Sequence, residues 1–129
     1  GNTEAAFTFY KSVFGNEFIT IQKFKDTPHG ATMSDEDKEK IMHVSLPIGD
    51  NIILMGTDML ESMGQKLNAG NNFSLAIAPA SKEEADKLFA ALAAGGNVAM
   101  PLEKVFWGAY FGMLTDKFGV QWMVNYDGR

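Results

Sequence analysis

Two stretches of apolar residues at helix spacing, each followed by three β-prone segments, predict an α+β fold built from two related modules. The helical stretches run from Thr3 to Phe14 and from Ser81 to Gly95, and the junctions Gly15-Asn16 and Gly96-Asn97 fall at the same place in the order of elements. With 129 residues the chain is the size of one domain, and with no Cys it has no disulfide framework. A content of 46% hydrophobic and 21% charged residues is enough for a core without a covalent staple.

In the first module Ala6, Phe7, Tyr10, Val13 and Phe14 form the helical stripe, with Asn2 or Thr3 placed to cap it and Gly15 to end it. Phe18 to Lys25 alternates imperfectly, which predicts a strand, and Lys23 and Lys25 suit a sheet edge. Asp26 to Lys40 holds Pro28, Gly30 and the acidic run Asp35-Glu36-Asp37 without an apolar period. That pattern predicts a loop or short helical turn with a solvated face, long enough to serve as a lid. Ile41 to Ile48 and Asn51 to Met55 flank Gly49-Asp50 as a hairpin, with Pro47 near the turn. From Gly56 to Asn71, Met59, Leu60, Met63 and Leu67 predict a packed loop with one irregular helical turn.

Asn72 to Ala78 opens the second module as a strand. Ser81 and Glu84 then have the spacing of a reciprocal capping box, Ala85, Leu88, Phe89 and Leu92 form the buried stripe, and Gly95-Gly96 ends the helix. Val98 to Lys104, Ala109 to Thr115 and Val120 to Tyr126 are the three following strands, the last two joined by the turn Asp116-Lys117-Phe118-Gly119. The second helix has a strand ahead of it and the first has none, so the numbering is expected to omit an amino-terminal strand.

A formal charge of −5 disfavours nucleic acid and anionic membrane as partners. No segment approaches the roughly 20 apolar residues of a membrane-crossing helix, and the first residues lack a secretory pattern. A cytoplasmic location is the expectation.

The Gly1-Asn2 start, Ala6-Phe7, the run from Phe9 to Gly15, Met42-His43-Val44, Trp107 to Gly112 and Asp116 to Trp122 together resemble the PhnB-like branch of the glyoxalase/bleomycin-resistance, or vicinal oxygen chelate, superfamily. The likeness covers nearly the whole chain. It implies one domain over residues 1–129, made of two βαβββ modules at 1–58 and 71–127, each curling its sheet into half of a barrel, and it implies a homodimer. Names in this branch refer to phosphonate metabolism or to demethylubiquinone methyl transfer. No glycine-rich strand-to-helix motif supports a nucleotide or methyl-donor site, because Gly95-Gly96 closes a helix rather than opening one.

Metal-dependent relatives hold a divalent ion with His, Glu or Gln on inward strands. The likeness places those positions here at Phe73, at Met123 and at Ile53, Leu54 or Met55, none of which supplies a hard oxygen or imidazole ligand. No cofactor and no metal site are therefore expected. Strand alternation puts Gln121, Met123 and Asn125 on one face of the last strand. If that face lines the pit, two amides can orient a ligand while Met123 and Phe73 touch its apolar part, with Phe106, Trp107 and Tyr110 as another wall.

Of the two histidines, His29 lies in a loop and His43 reads as an ordinary strand histidine, with pocket acid, base or ligand as its alternative. The serines lack a nucleophile-elbow context. Three functions follow: a metal-free protein binding a small apolar or mixed-polarity molecule, an enzyme of proton transfer or isomerisation using His43 or an acid outside the ancestral metal positions, or a dimeric scaffold with a filled pit.

Overall fold

The structure is a computed structural model and describes residues 1–106 and 108–127, with the side chain of His29 outside the description. The chain forms two units, Gly1–Asn68 and Ala69–Arg129.

The first unit contains α1 (Thr3–Phe14), β1 (Thr20–Lys23), the one-turn α2 (Asp35–Lys38), β2 (Ile41–Gly49) and β3 (Ile52–Gly56), with 3-10 turns in the loops. The predicted stripe of α1 buries Ala6, Phe7, Tyr10 and Val13. Gly15 ends the helix at φ 77°, a left-handed conformation open to glycine, and its N–H donates to the Lys11 carbonyl at 2.8 Å. The helix start is closed by a distant residue. Asn2 makes no side-chain cap bond, and the Thr3 N–H instead donates to Asp58 Oδ1 at 3.1 Å. The other Asp58 oxygen accepts from the Ile41 N–H at 2.8 Å, so one buried carboxylate ties α1 to β2. Burial opposes ionisation of Asp58, but the hydrogen bonds from Thr3 and Ile41 outweigh it and hold its pKa below the usual value.

The sheet order is β1-β2-β3, antiparallel throughout. α1 packs on β2, where Val44 and Leu46 are fully buried. A Cβ on Gly56 would lie 2.5 Å from the Phe7 ring, so the absence of a side chain lets the helix approach the sheet.

The second unit runs β4 (Leu75–Ile77), α3 (Lys82–Ala93), β5 (Asn97–Lys104), β6 (Tyr110–Thr115) and β7 (Gln121–Tyr126). In α3 the Ser81 hydroxyl accepts from the Glu84 N–H at 3.1 Å. Glu84 reaches back to the Ala80 N–H at 3.0 Å, one residue beyond the cap that a reciprocal box would use. Ala85, Leu88, Phe89 and Leu92 are buried as the period predicts.

The sheet order is β4-β7-β6-β5, with β4 parallel to β7 and the other pairs antiparallel. On the face toward α3, Gly112, Leu114, Trp122 and Val124 are buried. The alternate residues of β6 and β7 are half-buried on the opposite face. Asp116 fixes the β6–β7 turn: Oδ1 accepts from the Phe118 and Val120 N–H groups at 2.8 and 3.0 Å, and Oδ2 accepts from the Trp122 indole at 2.9 Å.

The α+β class stands, but the expected curled half-barrels do not: neither sheet is closed or strongly curled. β1 and β3 are the edges of one open sheet and β4 and β5 the edges of the other. Closure needs a matched tilt and stagger along strands of useful length. Here β1 has four residues and β4 has three, and β5 shifts register twice against β6.

A Cβ on Gly112 would sit 2.7 Å from the Phe89 ring and 2.9 Å from the Leu102 Cα. Gly112→Ala is therefore expected to destabilise the protein by about 1–3 kcal/mol, the usual cost of overpacking, as measured by urea denaturation. Asp58 gives a pH signature. Its folded pKa is depressed, so its stabilisation is complete above the unfolded carboxylate value of about 3.9 and fades as pH falls through the folded one. The urea midpoint of Asp58→Asn should lie below that of the parent at neutral pH, and the gap should shrink as the acid limit is approached.

Candidate functional site

The half-buried face of the second sheet brings together Gln121, Met123 and Asn125, three of the residues that the sequence singles out. Its rows follow from register. Thr115 lies opposite Gln121, Met113 opposite Met123, and Phe111 opposite Asn125. Met100 of β5 pairs with Met113, and Ala76 of β4 lies beside Met123, so three methionines run across three strands. A soft, adaptable thioether row is thus flanked by two amides.

The amides differ in their state. Gln121 donates from Nε2 to the Phe73 carbonyl at 2.6 Å, which fixes the segment entering β4. Asn125 Oδ1 is buried and has no hydrogen-bond partner among the described residues. A desolvated acceptor left unpaired costs about 1–3 kcal/mol.

The remaining candidates lie elsewhere. Phe73 precedes β4 and is 62% exposed. Trp107 lies outside the described residues. Phe106 is almost fully exposed. Tyr110 falls on the other face of the sheet, the one toward α3: its hydroxyl donates to Asp86, and Lys82 Nζ sits 5.2 Å from the centre of its ring. The hydrogen bond to Asp86, together with burial and the carboxylate charge, raises the Tyr110 pKa and keeps the phenol protonated. It is thus separated from Gln121, Met123 and Asn125 by the thickness of the sheet.

His43 occupies the corresponding open face of the first unit. Val44 and Leu46 turn toward α1, so His43 and Ser45 turn away, and His43 Nε2 is 2.7 Å from Ser45 Oγ. Gln22 lies opposite His43, and Thr20 and Met55 lie opposite Ser45 on the two neighbouring strands.

The acidic run also contains a residue that the sequence reading left on a solvated face. Asp37 is 8% exposed, accepts from Ser62 Oγ at 2.7 Å and pairs with Lys40 at 3.1 Å. The Ser62 bond first and the Lys40 contact second hold its carboxyl below the usual range. Asp37 lies in the wall of a cavity of about 380 Å³ with Phe24, Met33 and Met63. Spacing could not reveal this, because Ser62 is 25 residues away.

The positions at which the likeness puts metal ligands do not fit a hard divalent ion. Met123 offers a thioether between Ala76 and Met113, Phe73 offers a hydrocarbon, and Ile53, Leu54 and Met55 occupy β3. No group of three or more His, Cys, Asp or Glu side chains among the described residues is arranged to share an ion. A methyl-donor nucleotide fits no better at the turn from β4 into α3. That turn is Ala78-Pro79-Ala80-Ser81, without glycine, and the Ala80 and Glu84 N–H groups are already bonded to Glu84 and Ser81 side chains. No described helix is long and apolar enough to cross a membrane.

Comparison with known proteins agrees with this geometry. The family model described as 3-demethylubiquinone-9 3-methyltransferase matches residues 1–125. Protein YjdN of Escherichia coli (strain K12) is 30% identical across 97% of this chain and 88% of its own. The crystal structure of PA1353 from Pseudomonas aeruginosa shares 40% identity and a TM-score of 0.86, covering 98% of this chain and 90% of that one. A PhnB protein from Bacillus cereus shares 26% identity and a TM-score of 0.75 over 98% and 92% of the two chains. At 22% identity, a glyoxalase/bleomycin resistance protein/dioxygenase family enzyme from Burkholderia phytofirmans PsJN shares the fold, with a TM-score of 0.64 over 96% and 89%. The chain belongs to the family described as 3-demethylubiquinone-9 3-methyltransferase, within the PhnB-like branch of the glyoxalase/bleomycin-resistance superfamily.

Proposed function

We propose that the chain binds a small organic molecule of mixed polarity on the open face of its second sheet, through amides and thioethers in place of a coordinated ion. The observation that carries this reading is Asn125 Oδ1, buried beside the methionine row and without a hydrogen-bond partner among the described residues. A protein that keeps a desolvated acceptor gives up stability unless something donates to it, and a ligand O–H or N–H meets that need. Met100, Met113 and Met123 offer an apolar bed that adapts to the rest of the molecule. Gln121, held by the Phe73 carbonyl, keeps its own carbonyl oxygen available for a second polar contact.

Two measurements test this. In the ligand-free protein Asn125→Leu removes the orphaned oxygen while keeping the volume, so it should leave stability unchanged or raise it by about 1 kcal/mol in urea denaturation. A clear loss would mean that the amide has a structural partner. For binding, indole and 1-methylindole form a matched pair that differs in one donor. NMR titration should perturb Gln121, Met123 and Asn125, with indole bound about tenfold more tightly, and Asn125→Leu should abolish that preference. Equal affinities, or no response along β7, would remove the reading. Chemical conversion of the added compound, lost in His43→Ala, would replace passive binding with proton transfer at the His43–Ser45 pair.

A further inference from the structure

We propose a second ligand site on the helix side of the same unit: a cleft of about 470 Å³ that receives a small organic anion with an aromatic body. It is separate from the open face, because strand alternation turns its side chains the other way. Lys104 pairs with Tyr110, and Tyr110 with Tyr126, so these three form one row across β5, β6 and β7. Lys82, in the first turn of α3, stands over the Tyr110 ring. Leu102 shares the face of Lys104 and completes an apolar floor between cations.

The charges decide which molecule fits. Among the described residues Lys104 has no ion-pair partner, and Lys82 has only its contact with the Tyr110 ring. Two ammonium groups therefore border the cleft without an ion pair among the described residues. The acidic residues nearby do not neutralise them. Glu103 and Asp127 also border the cleft, but Glu103 pairs with Phe111, so alternation turns its side chain toward the opposite face. Asp86 accepts from the Tyr110 hydroxyl, and Asp127 has an interaction of its own. The Tyr126 hydroxyl has no hydrogen-bond partner among the described residues and can add a donor. Cations at the rim, phenolic rings below and a free O–H match a carboxylate carried on a flat ring. A neutral ring would use the floor and leave both ammonium groups unanswered.

Benzoate and benzamide are the probes, titrated into the ¹⁵N-labelled protein. Benzoate should shift the amide signals of Leu102, Lys104, Gly108 and Tyr110, binding about tenfold more tightly than benzamide. The double variant Lys82→Gln/Lys104→Gln should bring the two probes to equal affinity, and Lys82→Arg/Lys104→Arg should retain the preference. Both lysines are exposed, so folding should be preserved, as circular dichroism will verify. Equal affinity of the two probes for the parent, an unchanged preference in the glutamine variant, or shifts confined to Gln121–Asn125 would overturn the site. The indole pair reads the other face, so either proposal can fail without the other.

Discussion

Each unit depends on one close approach, in which a helix phenylalanine lies against a strand where glycine leaves room. Phe7 rests over Gly56 in the first unit and Phe89 over Gly112 in the second. Full burial of such a ring contributes roughly 1.5–3 kcal/mol, and a methyl group at either glycine would intrude on it. The contact also decides which side of each sheet is core. Once Gly112, Leu114, Trp122 and Val124 face α3, the pleat leaves Phe111, Met113, Gln121, Met123 and Asn125 for the other side. The same logic turns His43 and Ser45 away from α1.

The two faces treat polar groups differently. On the helix side the buried Trp122 indole donates to Asp116 and the half-buried Tyr110 hydroxyl donates to Asp86. On the open side Asn125 Oδ1 finds no partner among the described residues. At the position on β7 where the likeness puts a metal ligand, Met123 offers a thioether. Sulfur of this kind interacts through polarisability and contact rather than charge, which is why the proposed ligand is an organic molecule and not a hard ion.

Local signals were legible in the sequence. The stripes Ala6-Phe7-Tyr10-Val13 and Ala85-Leu88-Phe89-Leu92 emerge buried as their spacing requires, because a period of 3.6 is written within one element. Ser81 caps α3 for the same reason. What depends on distant partners was not legible. Asp58 closes α1 across 55 residues, and no local pattern announces a carboxylate serving as a remote cap. Sheet curvature was overestimated because it is set by strand length and register shifts at β5, which alternation does not encode. Alternation did place Gln121, Met123 and Asn125 together. It also separates Tyr110 from Phe111, and the glycine at position 112 was the available sign of which parity meets the helix.

The strand orders give the units different histories on the ribosome. β1, β2 and β3 pair with sequence neighbours, so the first sheet can assemble as soon as its hairpin emerges. β4 has to wait: its partner is β7, which follows β5 and β6 in the chain, and until Leu75, Ala76 and Ile77 find Trp122, Met123 and Val124 the second sheet lacks one edge. During that interval Trp122 has not arrived to fill its core, and the apolar stripe of α3 lacks part of its cover.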